Sequence, residues 1–315
     1  MLTREEEIFF REHDDQCTLC GRKFKKGETI AIGYSIQGVL HVVCQDCIRI
    51  ISPRGKYMHT PRPYKIPNPD DMLWRFMDLA KFISLLKERA LYLTRVDQFN
   101  DPFECAIGQI EQKPKYDAYY LNFCKYAIAT SPREEGQEAP SEDYIQKQAE
   151  RLFKELSEAN QRHRYSIFVN CWHKNSVESE AMWNLYVKDM SQGVAIQTTY
   201  ERLYNALNKE PSLAIGEVNY VDYSKGTIYM NDVHWYKRKS FEHEREVRVV
   251  RFNPRAQHDC YGVFYPVDLD VLIEKIYVSP LAQTWFVNIV SDVLERYGIK
   301  KEIVTSRLNA EAFYG

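Results

Sequence analysis

The sequence predicts an α+β protein: a curved, mostly antiparallel sheet flanked by helices, preceded by a small cysteine-framed module. Three observations predict it. Runs that alternate or are rich in β-branched residues are interspersed with helical runs, without the regular strand–helix alternation of a parallel sheet. Pro53, Pro61, Pro63, Pro67 and Pro69 crowd one short stretch, where missing amide donors and fixed φ favour an extended linker. Ahead of it, four of the eight cysteines form two Cys-x-x-Cys pairs, Cys17/Cys20 and Cys44/Cys47. The organisation read from these is residues 1–50 as an N-terminal helix and cysteine module, 51–70 as a Pro-rich linker, and 71–315 as the α+β domain.

Residues 1–16 read as a short amphipathic helix with Ile8, Phe9 and Phe10 as its apolar part. ETIAIGYSI and VLHVV can form a hairpin between the cysteine pairs, and CIRII can open a helix. In the main domain LWRF is a short strand. Asp78 then caps a helix with Leu79, Phe82, Ile83 and Leu86 on one face. LYLTRV is a strand, followed by the turn-rich FNDPFE. Residues 131–142 are a polar loop, and 143–163 a charged helix burying Ile145, Ala149, Leu152, Phe153 and Leu156. SIFVNCW is a strand, SEAMWNLYV a short helix and GVAIQTT a strand. Helix resumes over 200–208. AIGEVNYVDY, REVRVVRF, YGVFYPVD and LIEKIYVS read as strands. A helix over about 281–297 and the strand KEIVTSRL close the order.

Composition excludes several classes. The 315 residues are 44% hydrophobic, enough for a sizeable core, so global disorder is excluded. Lys and Arg number 42 against 44 Asp and Glu, so no overall basic field marks a broad nucleic-acid binder. Mean hydropathy is −0.49, and no stretch approaches the ~18 consecutive apolar residues of a membrane span, so no membrane partner is expected. The acidic N-terminus lacks a hydrophobic signal core. The other four cysteines (Cys105, Cys124, Cys171 and Cys260) are scattered, as in a reduced, cytoplasmic chain.

The cysteine pairs carry the strongest chemical signal. Twenty-three residues separate them. Four thiolates supply the soft tetrahedral shell that Zn²⁺ prefers, and Cys17, Cys20, Cys44 and Cys47 are its expected ligands in a treble-clef-like module. A complete shell leaves no open position for water, so this zinc would be structural. Arg22, Lys23, Lys25 and Lys26 surround Phe24 as a basic knuckle suited to phosphate, or as a plain solvated face.

Three further signals lie in the main domain. Arg75 sits inside an apolar strand and needs an anion or a carboxylate. Cys171, Trp172 and His173 end a buried strand, with Trp183 and Tyr186 one turn apart on the helix that follows. Trp172 and His173 are placed to face a ligand. Cys171 with His173 has no nearby orienting Asp or Asn for cysteine-nucleophile chemistry. In FEHEREVRVV, read as a strand, Glu244, Glu246 and Arg248 share a face, and the crowded carboxylates should raise one pKa. Lys237, Arg238 and Lys239 can border a substrate groove.

LWRF, FNDPFE, CWH…MWNLY…GVAI and F-x-x-E-x-E-x-R resemble the prokaryotic domain of unknown function 2971 over about residues 72–305. The order of motifs also resembles the ADP-ribosyltransferase fold, with an arginine on a first strand, a second strand carrying a small motif, and a late glutamate within E-x-E. The resemblance implies NAD as substrate, with Arg75 on its diphosphate or ribose and Trp172 on the nicotinamide, and His173 and Tyr186 completing the set. It implies Glu246 accepting the ribose 2′-hydroxyl and Glu244 orienting or deprotonating the acceptor. His173 stands where many members have a serine. The implied activity is ADP-ribosyl transfer to a nucleic acid or protein, in a toxin or phage-defence setting. The alternatives are a non-enzymatic zinc-containing module that binds nucleic acid or protein, and a Mg²⁺-dependent nuclease using Glu244, Glu246 and Asp97 or Asp101.

Overall fold

The computed structural model describes residues 16–17, 20–24, 30–34, 40–44, 46–47, 64–131, 138–208, 210, 212–228, 230–257, 259–306 and 308. The expected N-terminal helix, Lys25 and Lys26 of the basic knuckle, and most of the Pro-rich stretch lie outside them. The chain divides into two compact units. One comprises residues 1–62 with 209–211, and the other Pro63–Asn208 with Ser212–Gly315.

In the smaller unit, β1 (Ile30–Tyr34) and β2 (Leu40–Cys44) form the expected antiparallel hairpin, in register from Ile30↔Cys44 to Tyr34↔Leu40. Asp46 and Cys47 are helical. Gly21 adopts φ +69°, where a side chain would be strained, and closes a turn in which its N–H donates to the Cys17 carbonyl.

The larger unit is α+β, built on one nine-stranded sheet. Its strands are β3 (Met72–Asp78), β4 (Ala90–Arg95), β5 (Ile167–Lys174), β6 (Gly193–Thr199), β7 (Leu213–Glu217), β10 (Glu246–Phe252), β11 (Gly262–Pro266), β12 (Lys275–Val278) and β13 (Glu302–Thr305). The order is β11-β4-β5-β3-β6-β12-β13, with β10 also on β5 and β7 beyond β10. Every pairing is antiparallel except β12 with β13. A separate parallel pair joins β8 (Asn219–Val221) to β9 (Tyr236–Arg238).

Helices flank the sheet. α1 (Leu79–Glu88) buries Phe82, Leu85 and Leu86. Asp78 stands at its N-cap without a capping side-chain bond, because its carboxylate instead accepts from the Lys188 N–H. α4 (Glu180–Tyr186) buries Met182 and Trp183 beneath Ser179, which caps it. α5 (Tyr200–Ala206), α6 (Leu269–Leu272) and α7 (Thr284–Arg296) bury Leu203, Leu272, Phe286, Val290 and Leu294 in the main core.

Two regions differ from expectation. α2 (Lys113–Ala129) was not anticipated; only Cys124 is buried in it, so its pattern lacks an apolar stripe. Its neighbour α3 (Glu142–His163) buries only Ala149, and Leu152, expected inside, is 44% exposed. Residues 64–70 are not free linker. Tyr64 stacks on Trp235 with centroids 3.9 Å apart, and Lys65 bridges to Glu217. Among the described residues no helix is long and apolar enough to cross a membrane.

The feature that positions chemistry is a split in this sheet. β5 pairs with β4 only at Phe168 and Val169, and with β3 only at His173 and Lys174. Between those levels Asn170, Cys171 and Trp172 have no neighbouring strand on that side.

Candidate functional site

Side chains staple the split. Arg75 reaches across from β3 and donates through Nη1 to the Cys171 carbonyl at 2.7 Å. Asn170 donates through Nδ2 to the Tyr92 carbonyl at 2.9 Å. Carbonyls that a continuous ladder would satisfy with amides are thus met by side chains. The gap opens into a cavity of about 520 Å³, within the range of small-molecule sites. Arg75, Trp172, His173, Tyr186, Glu244 and Glu246 all border it. Those six come from three distant stretches of sequence and meet in one place.

Arg75 is half-buried, and among the described residues no carboxylate lies within ion-pair distance of it. Its Cζ stands 5.9 Å from the Trp172 ring centroid. Burial pulls its pKa down, opposed by the Cys171 and Tyr186 side chains. Trp172 is only 1% exposed, and its strand runs on to Lys174, so it does not stand at a strand exit. Its Nε1 nevertheless has no hydrogen-bond partner among the described residues.

His173 lies opposite Glu246 on one side and Trp74 on the other. Its Nδ1 is 2.6 Å from the Glu244 carbonyl oxygen. A carbonyl can only accept, so Nδ1 carries the proton and Nε2 is a bare acceptor. That Nε2 is buried and has no partner among the described residues. Burial lowers the His173 pKa, more than the Glu244 contacts raise it, which keeps the ring neutral.

The two glutamates are not on one strand face. Glu244 ends a 3-10 turn (Lys239–Glu244), Arg245 turns the chain at φ 40°, and β10 begins only at Glu246. Lys237 joins them instead, its Nζ 2.6 Å from Glu244 Oε2 and 3.3 Å from Glu246 Oε2. It is buried, so it does not border an open groove; Arg238 is engaged by Asp101 at 2.7 Å. Arg248, fully buried, donates to both oxygens of Glu246 and to both of Glu104.

The expected rise in carboxylate pKa is overturned for Glu246. Burial pushes it up, but Arg248 and Lys237 outweigh this and hold it down at about 2. Burial, then the Glu246 charge, pushes the Cys171 thiol well above the ordinary range, which disfavours the nucleophilic thiolate. Tyr186 donates to Glu244 Oε2 at 3.3 Å, and burial and the two carboxylates raise its pKa. Glu244 Oε1 has no hydrogen-bond partner among the described residues.

No protein-family model and no curated protein matches this chain. The chemistry of the site therefore rests on its own geometry. That geometry is a cation without a counter-charge, one unpartnered donor, two unpartnered acceptors (His173 Nε2 and Asn170 Oδ1) and a carboxylate with a free oxygen. Buried polar groups normally have partners, and this cavity gathers three that have none among the described residues. Asn170 was missed in the sequence because an amide within IFVNCW carries no pattern. Lys237 was noted only as a basic residue.

The smaller unit holds a second candidate site. Cys17, Cys20, Cys44 and Cys47 offer sulfurs that all lie within 4.8 Å of one another, close enough to hold a metal ion. Thiolates ~2.3 Å from a tetrahedral metal stand ~3.8 Å apart. Cys20 Sγ and Cys44 Sγ are separated by 3.8 Å.

Proposed function

We propose that the larger unit is an NAD-dependent ADP-ribosyltransferase that modifies a nucleic acid or protein. The observation that carries this reading is the convergence of Arg75, Trp172, His173, Tyr186, Glu244 and Glu246 on one cavity, with no carboxylate partner for the arginine among the described residues. The NAD diphosphate supplies the missing anion for Arg75. Trp172 offers its ring and its indole N–H to the nicotinamide end. The resemblance to the ADP-ribosyltransferase fold implies the same roles for Arg75 and Trp172.

The glutamate roles are revised by the ion pairs. Both oxygens of Glu246 are occupied by Arg248 and Lys237. Glu244 is the carboxylate whose Oε1 is free to accept the ribose 2′-hydroxyl, and Glu246 positions it through their shared lysine. As the C1′–N bond breaks, its electron pair returns to the pyridinium ring, which leaves as neutral nicotinamide. The Glu244 charge stabilises the oxocarbenium-like centre. The acceptor's nucleophile forms the new bond to C1′, and its proton passes to His173 Nε2, the neutral base bordering the cavity.

Zinc is the metal proposed for the four thiolates. A full protein shell makes it structural, and binding it supplies folding energy to a unit too small to bury much surface. Arg22 and Lys23, which flank the knuckle, would contact the acceptor.

The test is incubation of the full chain with labelled NAD and fractionated cell extract, beside Arg75→Ala and Glu244→Gln. Nicotinamide release by the wild type alone is expected, and the labelled fraction names the acceptor class. Equal release by Glu244→Gln would remove its assignment. A second reading is favoured by one observation: Glu104–Arg248–Glu246–Lys237–Glu244 is a continuous run of buried ion pairs, as a structural network would be. On that reading the protein binds a partner in a salt-dependent way and releases no nicotinamide from any fraction.

A further inference from the structure

The same cavity has an aromatic mouth that none of the assigned roles uses. Tyr92 of β4 and Phe264 of β11 face each other across the ladder, with ring centroids 5.1 Å apart, edge to face. Both border the cavity and stay 41% and 49% exposed. Tyr92 lies over Gly262, where a Cβ would stand 2.2 Å from the phenol oxygen. Any side chain at 262 would displace the ring, so the glycine keeps it in place.

Beneath this mouth is Asn170, 2% exposed. The bond from its Nδ2 to the Tyr92 carbonyl settles which way the amide points, leaving Oδ1 as an acceptor. Oδ1 has no partner among the described residues, although it belongs to a residue bordering the cavity. A buried acceptor left without a donor is costly, and a ligand donor removes that cost. Two exposed rings beside a buried acceptor fit a planar heteroaromatic ring that bears an amino group.

We infer that Tyr92 and Phe264 form a platform for the adenine of the nucleotide, with Asn170 Oδ1 accepting from its exocyclic amine. The inference rests on the NAD reading for the identity of the ligand's other half. It extends that reading to the base: an adenine nucleotide is selected over one whose base carries a carbonyl in place of the amine, which would meet Oδ1 with another acceptor.

The experiment is calorimetric titration of the full chain with AMP, IMP, nicotinamide mononucleotide and NAD. It compares wild type with Tyr92→Ala, Phe264→Ala and Tyr92→Phe. AMP affinity is expected to fall at least tenfold in either alanine variant and to survive in Tyr92→Phe. IMP should bind the wild type at least fivefold more weakly than AMP, and nicotinamide mononucleotide should bind all variants alike, which also shows that they are folded. Equal binding of AMP and IMP, or alanine variants that hold AMP as the wild type does, overturns the platform. If AMP follows the expected pattern while nicotinamide mononucleotide does not bind and no nicotinamide is released, the platform stands and the transferase reading falls. If NAD and nicotinamide mononucleotide bind but AMP does not, the platform falls and the transferase reading stands.

Discussion

Glu246 and His234 show how burial and charge act on single groups, and both make the fold sensitive to acid. Glu246 is held at about 2 against an ordinary 4.5 because Arg248 and Lys237 outweigh its burial. Its folded pKa lies below its unfolded one, so the unfolded chain takes up the proton first as pH falls. The stability it contributes is complete above about 4.5 and gone by about 2. His234 works in the same direction for another reason. Burial, helped by Arg248, lowers it from 6.5 to about 3, so between those values the unfolded chain is protonated there and the folded chain is not. Urea midpoints are expected to hold steady above neutrality, decline as pH drops through about 6.5, and decline faster below about 4.5. A midpoint at pH 4 equal to that at pH 7.5 would contradict both assignments.

At the scale of elements, a close approach at Gly216 helps to bind the segment ahead of β3 to the sheet. A Cβ on Gly216 of β7 would lie 2.1 Å from Tyr64 Cδ2, in a ring already stacked on Trp235. Gly216→Ala should therefore destabilise the larger unit by ~1–3 kcal/mol, as overpacked sites do, measured by denaturant titration. A neutral result would mean that residues 64–66 can lift away at little cost. Most strands were legible beforehand, since alternation and β-branching mark β4, β5, β6 and β10 locally. The α2–α3 pair was only half legible, because a helix that buries only one cysteine has no stripe to read. The E-x-E segment misled for a local reason: Arg245 takes a left-handed conformation, which ends the turn and shifts the start of β10 to Glu246. Alternation cannot reveal a single residue with positive φ. The split between β3 and β5 was invisible too, since it is a property of pairing and not of either strand.

For the whole molecule, the two units separate experimentally. All five tryptophans belong to the larger unit, which has its own core around Phe82, Phe168, Trp172 and Phe286. The four clustered cysteines belong to the smaller one. Adding a strong chelator should release one zinc per chain, read by a metallochromic dye, while tryptophan emission stays unchanged. A tryptophan shift that tracks the release would show that the larger unit depends on the metal for its fold. The candidate residues could be picked from sequence because arginine, histidine and glutamate stand out in apolar strands. Their meeting at one cavity depended on the strand order β10-β5-β3, which no local pattern encodes.

The split sheet also says something about what this chain was selected for. A sheet optimised for durability alone would zip β3 to β5 along their whole length and fill the gap with leucine or phenylalanine. Instead Arg75 is held there with its charge desolvated, beside Trp172, His173 and Asn170, each with an unmet polar atom. Proteins that give up stability at a chosen place tend to do so where they work. Arg75→Met is accordingly expected to raise the melting temperature, by about 2–4 °C for each kcal/mol recovered in a domain of this size, and to abolish the nucleotide binding proposed above. A variant that melts higher and binds nothing would mark the gap as a sacrifice of endurance to purpose. One that melts lower would mean that the bond to the Cys171 carbonyl outweighs the desolvation.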